Sequence, residues 1–182
     1  MLYIIRHGKT DWNEAKKLQG KTDIPLNDEG RDMARKAHDE YLNLHIDECY
    51  SSPLVRARET AEILMEGRDV PIYVDGRLEE MGFGIYEGKD TYSIPDCPMN
   101  VFFNEPENYV DAPGGAESME SLINRTGEFL KEVIYPKLEN NKDILIVGHG
   151  AMNSAIICQV RKLPIKEFWS AGIPNCEIIK LI

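Results

Sequence analysis

Two apolar runs in this chain end in the same way. Leu2–Ile5 runs into Arg6-His7-Gly8, and Ile144–Val147 runs into Gly148-His149-Gly150. Each run has the length and apolar, β-branched content of a buried strand. If the two strands are neighbours in a parallel sheet, their imidazoles face each other at its carboxyl edge, where open α/β sheets bind ligands. A single such histidine could equally be a core imidazole beside a surface arginine. Two with matching surroundings favour a shared site.

The groups arriving there have a common chemistry. His7 can serve as nucleophile, base or ligand. Arg6 offers a planar fork for phosphate or carboxylate, and Gly8 is expected to let backbone approach a bound group. A third strand, predicted over 46–50, leads into Ser51-Ser52-Pro53-Leu54-Val55-Arg56. Ser52 is a plausible cap and Pro53 a plausible first helical residue, with the helix ending near Gly67. A cation in the first turns opposes the helix dipole. An anion bound at that helix start would be held by the dipole and Arg56 together. Arg58 reads instead as a surface partner of Glu59 or Glu62. Two arginines and two histidines then make a positive pocket in a chain of net charge −10. Phosphate is the compact, doubly charged anion that fits. His38 and His45 lack such surroundings.

That net charge argues against non-specific nucleic-acid or membrane binding, both of which need excess positive charge. The four cysteines (Cys49, Cys97, Cys158 and Cys176) are scattered, without zinc-ligand spacing. They predict reduced thiols in a cytoplasmic protein. Neither a signal peptide nor a membrane span is expected. The length of 182 residues predicts one α/β domain over 1–182.

Asn27 caps a predicted helix over 28–44, and a short strand is expected at 71–74. The glycine-rich segment 77–88 carries Glu79, Glu80 and Glu87. A desolvated carboxylate there could act as a general acid, or all three could be solvated surface charges. Residues 89–116 form an irregular excursion with four prolines and Phe102, Phe103 and Tyr109, with a short helix expected around 99–104, and are either a substrate wall or a satellite core. The clearest helix is predicted over 117–138, ended or kinked by Pro136. Another helix follows Gly150, and a last strand covers 176–182.

Taken in order, Arg6-His7-Gly8 with Thr10 and Asn13, then Ser51-Ser52-Pro53-Leu54 with Arg56, Ala57, Thr60 and Ala61, then Leu78 and Glu80 followed by Gly84, Glu87 and Gly88, then Gly148-His149-Gly150, resemble the histidine phosphatase superfamily, in its phosphoglycerate-mutase-like branch. Pro113-Gly114-Gly115-Ala116-Glu117-Ser118 and Arg125 resemble a further segment of it, with Ala116 as an extra residue. The resemblance implies a three-layer α/β/α sandwich with a mostly parallel sheet. It implies His7 as the phosphoryl-accepting nucleophile and Arg6, Asn13, Arg56 and His149 as the phosphate pocket. Gln19, Gly20 and Gly150 would contact substrate, and Glu80 would give the leaving oxygen its proton. A cationic His149 would help the arginines spread phosphoryl charge, and no metal or other cofactor is required.

Three functions follow from it: a phosphatase for a small phosphorylated metabolite, a cofactor-dependent phosphoglycerate mutase, or a non-catalytic domain binding phosphorylated ligands. A mutase needs extra cations to hold a second anionic group, yet only Lys89 is basic between Met81 and Asn124. Water is therefore the expected acceptor. The aromatics at 92–109 point to a leaving group with a ring. Monomer and homodimer both remain open.

Overall fold

The computed structural model describes residues 1–182. Strands β1 (Leu2–Arg6), β2 (Glu48–Ser51), β3 (Ile72–Val74), β4 (Ile144–Gly148) and β5 (Ile178–Lys180) form one sheet in the order β3-β2-β4-β1-β5. The first four are parallel and β5 runs antiparallel along β1. The helices are α1 (Asp11–Glu14), α2 (Asp28–Glu40), α3 (Val55–Leu64), α4 (Asn100–Asn104), α5 (Met119–Phe129), α6 (Tyr135–Glu139) and α7 (Gly150–Arg161).

The continuous apolar runs of β1 and β4 are explained by burial on both faces. Alternate residues point opposite ways. Leu2, Ile4, Ile144 and Ile146 join a core with α5 and α7, while Tyr3, Ile5, Leu145 and Val147 join one with α2 and α3. The result is an α/β/α sandwich. Each such side chain contributes about 1.5–3 kcal/mol on burial, which holds the register of the two central strands. That register pairs Leu2 with Ile144 and Arg6 with Gly148. His7 donates its backbone N–H to the Gly148 carbonyl at 3.0 Å, so both histidines leave the sheet side by side.

Three local expectations differ from the structure. Helix α3 begins at Val55 rather than Pro53, because Asp23 Oδ1 accepts the Val55 N–H at 2.7 Å. The anion at that helix start is therefore Asp23. The long helix passes from α5 through a π-helical stretch, Leu130–Ile134, into α6. The wider turn carries the chain past Pro136, whose ring would crowd the carbonyl four residues back in a regular α-helix. The 89–116 segment contains the expected short helix, as α4, among short 3₁₀ turns, but it forms no separate core. Its Phe102 and Tyr109 belong to the main core, whereas Tyr92 is exposed. No helix is long and apolar enough to cross a membrane.

Candidate active site

At the carboxyl end of β1 and β4 the His7 and His149 rings lie 5.1 Å apart between centroids. Both are essentially buried. His7 Nδ1 lies 2.6 Å from the Gly8 carbonyl oxygen. A carbonyl only accepts, so the proton sits on Nδ1 and the Nε2 lone pair is free. Burial, then the charges of Arg56 and Arg6, holds the His7 pKa well below its ordinary value. The neutral ring is thus present throughout the physiological range.

His149 is also held neutral, first by burial and then by Arg56, His7 and Arg6. The expectation of a cationic His149 is corrected on this ground: a third positive charge beside two guanidiniums in a desolvated site is unfavourable. Its Nε2 lies 2.8 Å from Ser52 Oγ. With that hydroxyl donating, the ring proton is on Nδ1, which has no partner. Ser52 Oγ also accepts the Leu54 N–H at 3.2 Å, so this serine braces the second histidine instead of capping α3.

Arg56 is fully buried. Its Nη2 and Nη1 donate to the carbonyls of Gly20 at 2.7 Å and Thr22 at 2.9 Å. Burial lowers its pKa to about 10, partly offset by Glu80 and Asp23, so it stays charged at neutral pH. Arg6 is likewise shifted down by burial and up by Glu80, and Nη1 reaches the Ile173 carbonyl at 3.3 Å. Six buried side-chain N or O atoms in the chain lack a hydrogen-bond partner, and three belong to this cluster: Arg6 Nε, Arg56 Nε and His149 Nδ1. Leaving a buried polar group unsatisfied costs about 1–3 kcal/mol. Three nitrogens left so in one place mark a site shaped for an oxyanion.

Glu80 is buried beside them. Its Oε1 accepts the N–H groups of Met81 at 2.9 Å and Met152 at 3.0 Å, and Oε2 accepts that of Ala151 at 3.2 Å. The first turn of α7 thus supplies two of its donors. Glu79 points away to Lys21, 3.3 Å distant. Both Glu87 oxygens are taken by the 21–22 loop and Phe83. Of the three carboxylates in 77–88, only Glu80 lines the cavity.

That cavity has a volume of about 210 Å³ and brings together Arg6, His7, Asn13, Gln19, Gly20, Arg56, Glu80 and Gly150. His149 is fully buried next to His7 and is not among the residues that line the cavity. Asn13 is oriented by a reciprocal cap with Thr10, and Gln19 accepts from the Thr10 hydroxyl at 3.0 Å. Gly8 plays a different part from the one expected. A Cβ there would lie 2.4 Å from the Gly30 carbonyl oxygen, so the glycine lets β1 meet the start of α2, not a ligand.

Part of the cavity lining was not visible in the motifs. Phe83, Trp169 and Lys17 join Phe103 there. Trp169 stacks on Phe103 at 5.7 Å and donates to the Phe102 carbonyl at 3.0 Å. Lys17 precedes Gln19 and Gly20 in the first loop, a proximity that could have drawn notice. Trp169 comes from a stretch without any motif. Of the 92–109 aromatics only Phe103 faces the cavity. No group of three or more His, Cys, Asp or Glu side chains is arranged to hold a metal ion.

At one edge of the mostly parallel sheet two neutral imidazoles, two guanidiniums and a buried carboxylate come together, groups suited to phosphoryl transfer. The family model described as "Histidine phosphatase superfamily (branch 1)" matches residues 2–182, and the chain belongs to that superfamily as a phosphatase. "Phosphoserine phosphatase 1" of Hydrogenobacter thermophilus is 28% identical over 97% of this chain and 83% of its own length. "Probable phosphoglycerate mutase GpmB" of Escherichia coli O1:K1 is 30% identical over 99% and 83%. Among solved structures, Bacillus stearothermophilus YhfR superposes with a TM-score of 0.86 at 30% identity, covering 97% of this chain and 88% of that one. A mutant phosphoserine phosphatase from Entamoeba histolytica in complex with phosphoserine gives 0.81 at 28% identity, covering 97% and 87%.

Proposed function

We propose that residues 1–182 form one catalytic unit, a phosphomonoesterase that works through a phosphohistidine at His7. The observation that carries this reading is the cluster of unpartnered buried nitrogens around a neutral His7. His7 Nε2 attacks phosphorus, the bond to the leaving oxygen breaks, and that oxygen takes a proton from Glu80. Oε2 is the oxygen suited to carry this proton, since it accepts one N–H while Oε1 accepts two. Water then attacks phosphorus, the P–N bond breaks, and Glu80 takes the proton back. Two displacements replace one difficult step. Arg6, Arg56 and the Nδ1–H of His149 stabilise the phosphoryl oxygens, and Asn13, Gln19, Gly20 and Gly150 complete the pocket.

The substrate is a small phosphorylated metabolite. A cavity of about 210 Å³ falls below the range of about 300–1,000 Å³ usual for drug-sized ligands. Lys17, which lines it, forms no ion pair and suits a leaving group with a carboxylate. The phosphoserine held by the Entamoeba histolytica relative is such a compound, and it is the first substrate to assay. The test incubates chelator-treated protein with ³²P-labelled phosphoserine and with an aryl phosphate. Hydrolysis should proceed without added metal, through a labelled protein stable in base and labile in acid. His7→Ala should lose both label and turnover. Full activity in His7→Ala would remove the nucleophile, and absence of label at every pH with no turnover would leave a binding domain. Transfer of label to a second phosphoglycerate faster than to water would favour a mutase.

A further inference from the structure

We propose that Glu87, which the reaction scheme leaves out, is a positioning residue that sets Arg56 for the phosphoryl group. The inference rests on Arg56 gripping that group. Arg56 has no side-chain carboxylate bound to it. Both of its Nη atoms end on backbone carbonyls of one loop, at Gly20 and Thr22. A loop carbonyl is a good anchor only if the loop itself is fixed.

Glu87 does the fixing. Its Oε1 accepts the N–H groups of Lys21 at 3.1 Å and Phe83 at 3.0 Å, and Oε2 accepts the Thr22 N–H at 3.0 Å and the Thr22 hydroxyl. One carboxylate thus takes four donors, two of them the amides that lie between the two carbonyls Arg56 uses. The loop is pressed so closely on this group that a Cβ at Gly20 would lie 2.1 Å from Oε1. Gly20 also has φ +55°, a conformation glycine adopts freely. Backbone bonds from Leu18 N–H to the Lys89 carbonyl at 3.0 Å, and from Gly88 N–H to the Leu18 carbonyl at 2.8 Å, hold the two segments on either side.

The path from carboxylate to guanidinium is therefore short and made of charge-assisted hydrogen bonds, about twice as strong as neutral ones. Glu87 also lies close enough for its charge to favour protonated Arg56. It is not placed to donate a proton to substrate, because it is not on the cavity wall. With Glu87 gone, the 20–22 carbonyls are free to rotate and Arg56 loses its seat. A displacement of about 1 Å at a catalytic group can cost about 100-fold in rate.

The test is a double-mutant cycle between Glu87→Ala and Arg56→Lys in the full chain, read as kcat/KM on an aryl phosphate and as the inhibition constant of inorganic phosphate. Glu87→Ala alone is expected to lower kcat/KM about 10- to 100-fold and to weaken phosphate inhibition. In the Arg56→Lys background the same substitution should change kcat/KM less than about 3-fold, since groups acting through one another are non-additive. Glu87→Gln, which keeps one acceptor oxygen, should fall between and covers the case in which Glu87→Ala does not fold. An equal loss in both backgrounds, or lowered thermal stability with kcat/KM and phosphate inhibition intact, overturns the proposal. Wild-type activity in Arg56→Lys alone would instead overturn the role of Arg56 on which it rests.

Discussion

Arg125 is the residue whose removal tests most sharply how this protein holds Glu80, the proposed acid, in place. The guanidinium meets Glu117 twice, Nε to Oε1 at 2.7 Å and Nη2 to Oε2 at 3.0 Å. It also donates to the carbonyls of Arg77 at 2.6 Å, Glu79 at 2.8 Å and Glu80 at 3.2 Å. One side chain of α5 therefore ties down the backbone on which Glu80 rides. The pair is largely buried, with side-chain exposures of 15% and 10%. Arg125→Ala would leave Glu117 charged without its partner, a loss of about 3–5 kcal/mol for a buried pair. The stranded carbonyls would add to this, but relaxation of the segment and entry of water offset part of it. We expect a net loss of about 3–5 kcal/mol in urea denaturation, and a melting point lower by about 6–20 °C. Arg125→Lys should recover only part, because an ammonium keeps the charge but not the fork. Turnover gives a second readout. An alkyl phosphate such as phosphoserine needs its leaving oxygen protonated, so its kcat should fall about 100-fold. A nitrophenyl phosphate, whose leaving group departs as the anion, should lose far less. A stability loss under about 1 kcal/mol, the range of an exposed pair, would refute the buried-clamp argument. Equal losses on both substrates would refute its action through Glu80.

Stability should also respond to mild acid. His7 and His149 are neutral in the fold, with pKa values well below the ordinary one, so the unfolded chain binds more protons below about pH 6.5. Their contribution is intact above that pH. It is lost as the pH falls from there toward the folded values, by up to about 2.7 kcal/mol per pH unit for the two together. Denaturation curves between about pH 5 and 8 would show this, with a shallower slope in His149→Gln; a flat profile would contradict the neutral pair. Gly8→Ala should destabilise by about 1–3 kcal/mol or more, because the Gly30 carbonyl 2.4 Å from the added carbon is backbone and cannot swing aside. An unchanged melting point would show that β1 and α2 have room to part.

Much of the architecture was open to reading because it depends on local period and composition. The double-sided burial of β1 and β4 demands continuous apolar runs, and both were present at Leu2–Ile5 and Ile144–Val147. Their histidine-glycine ends, and Arg56 just inside a helix, pointed to the residues of the proposed anion site. Asn27 marks the start of α2 by its own side chain, accepting the Gly30 N–H at 2.8 Å. Such signals lie within a few residues of the feature they announce.

What the tertiary structure alone decided concerns partners far apart in the chain. Glu79, Glu80 and Glu87 look alike in a linear string; only packing sends the first to Lys21, the second to the start of α7 and the third under the 20–22 loop. Gly8 answers to Gly30, and Trp169 reaches the cavity from beside Phe103. The charge state of His149 is of the same kind. A residue's type sets its ordinary pKa, but desolvation and the field of Arg56 and Arg6 are properties of the assembled site, because both depend on distances that exist only once the chain has folded.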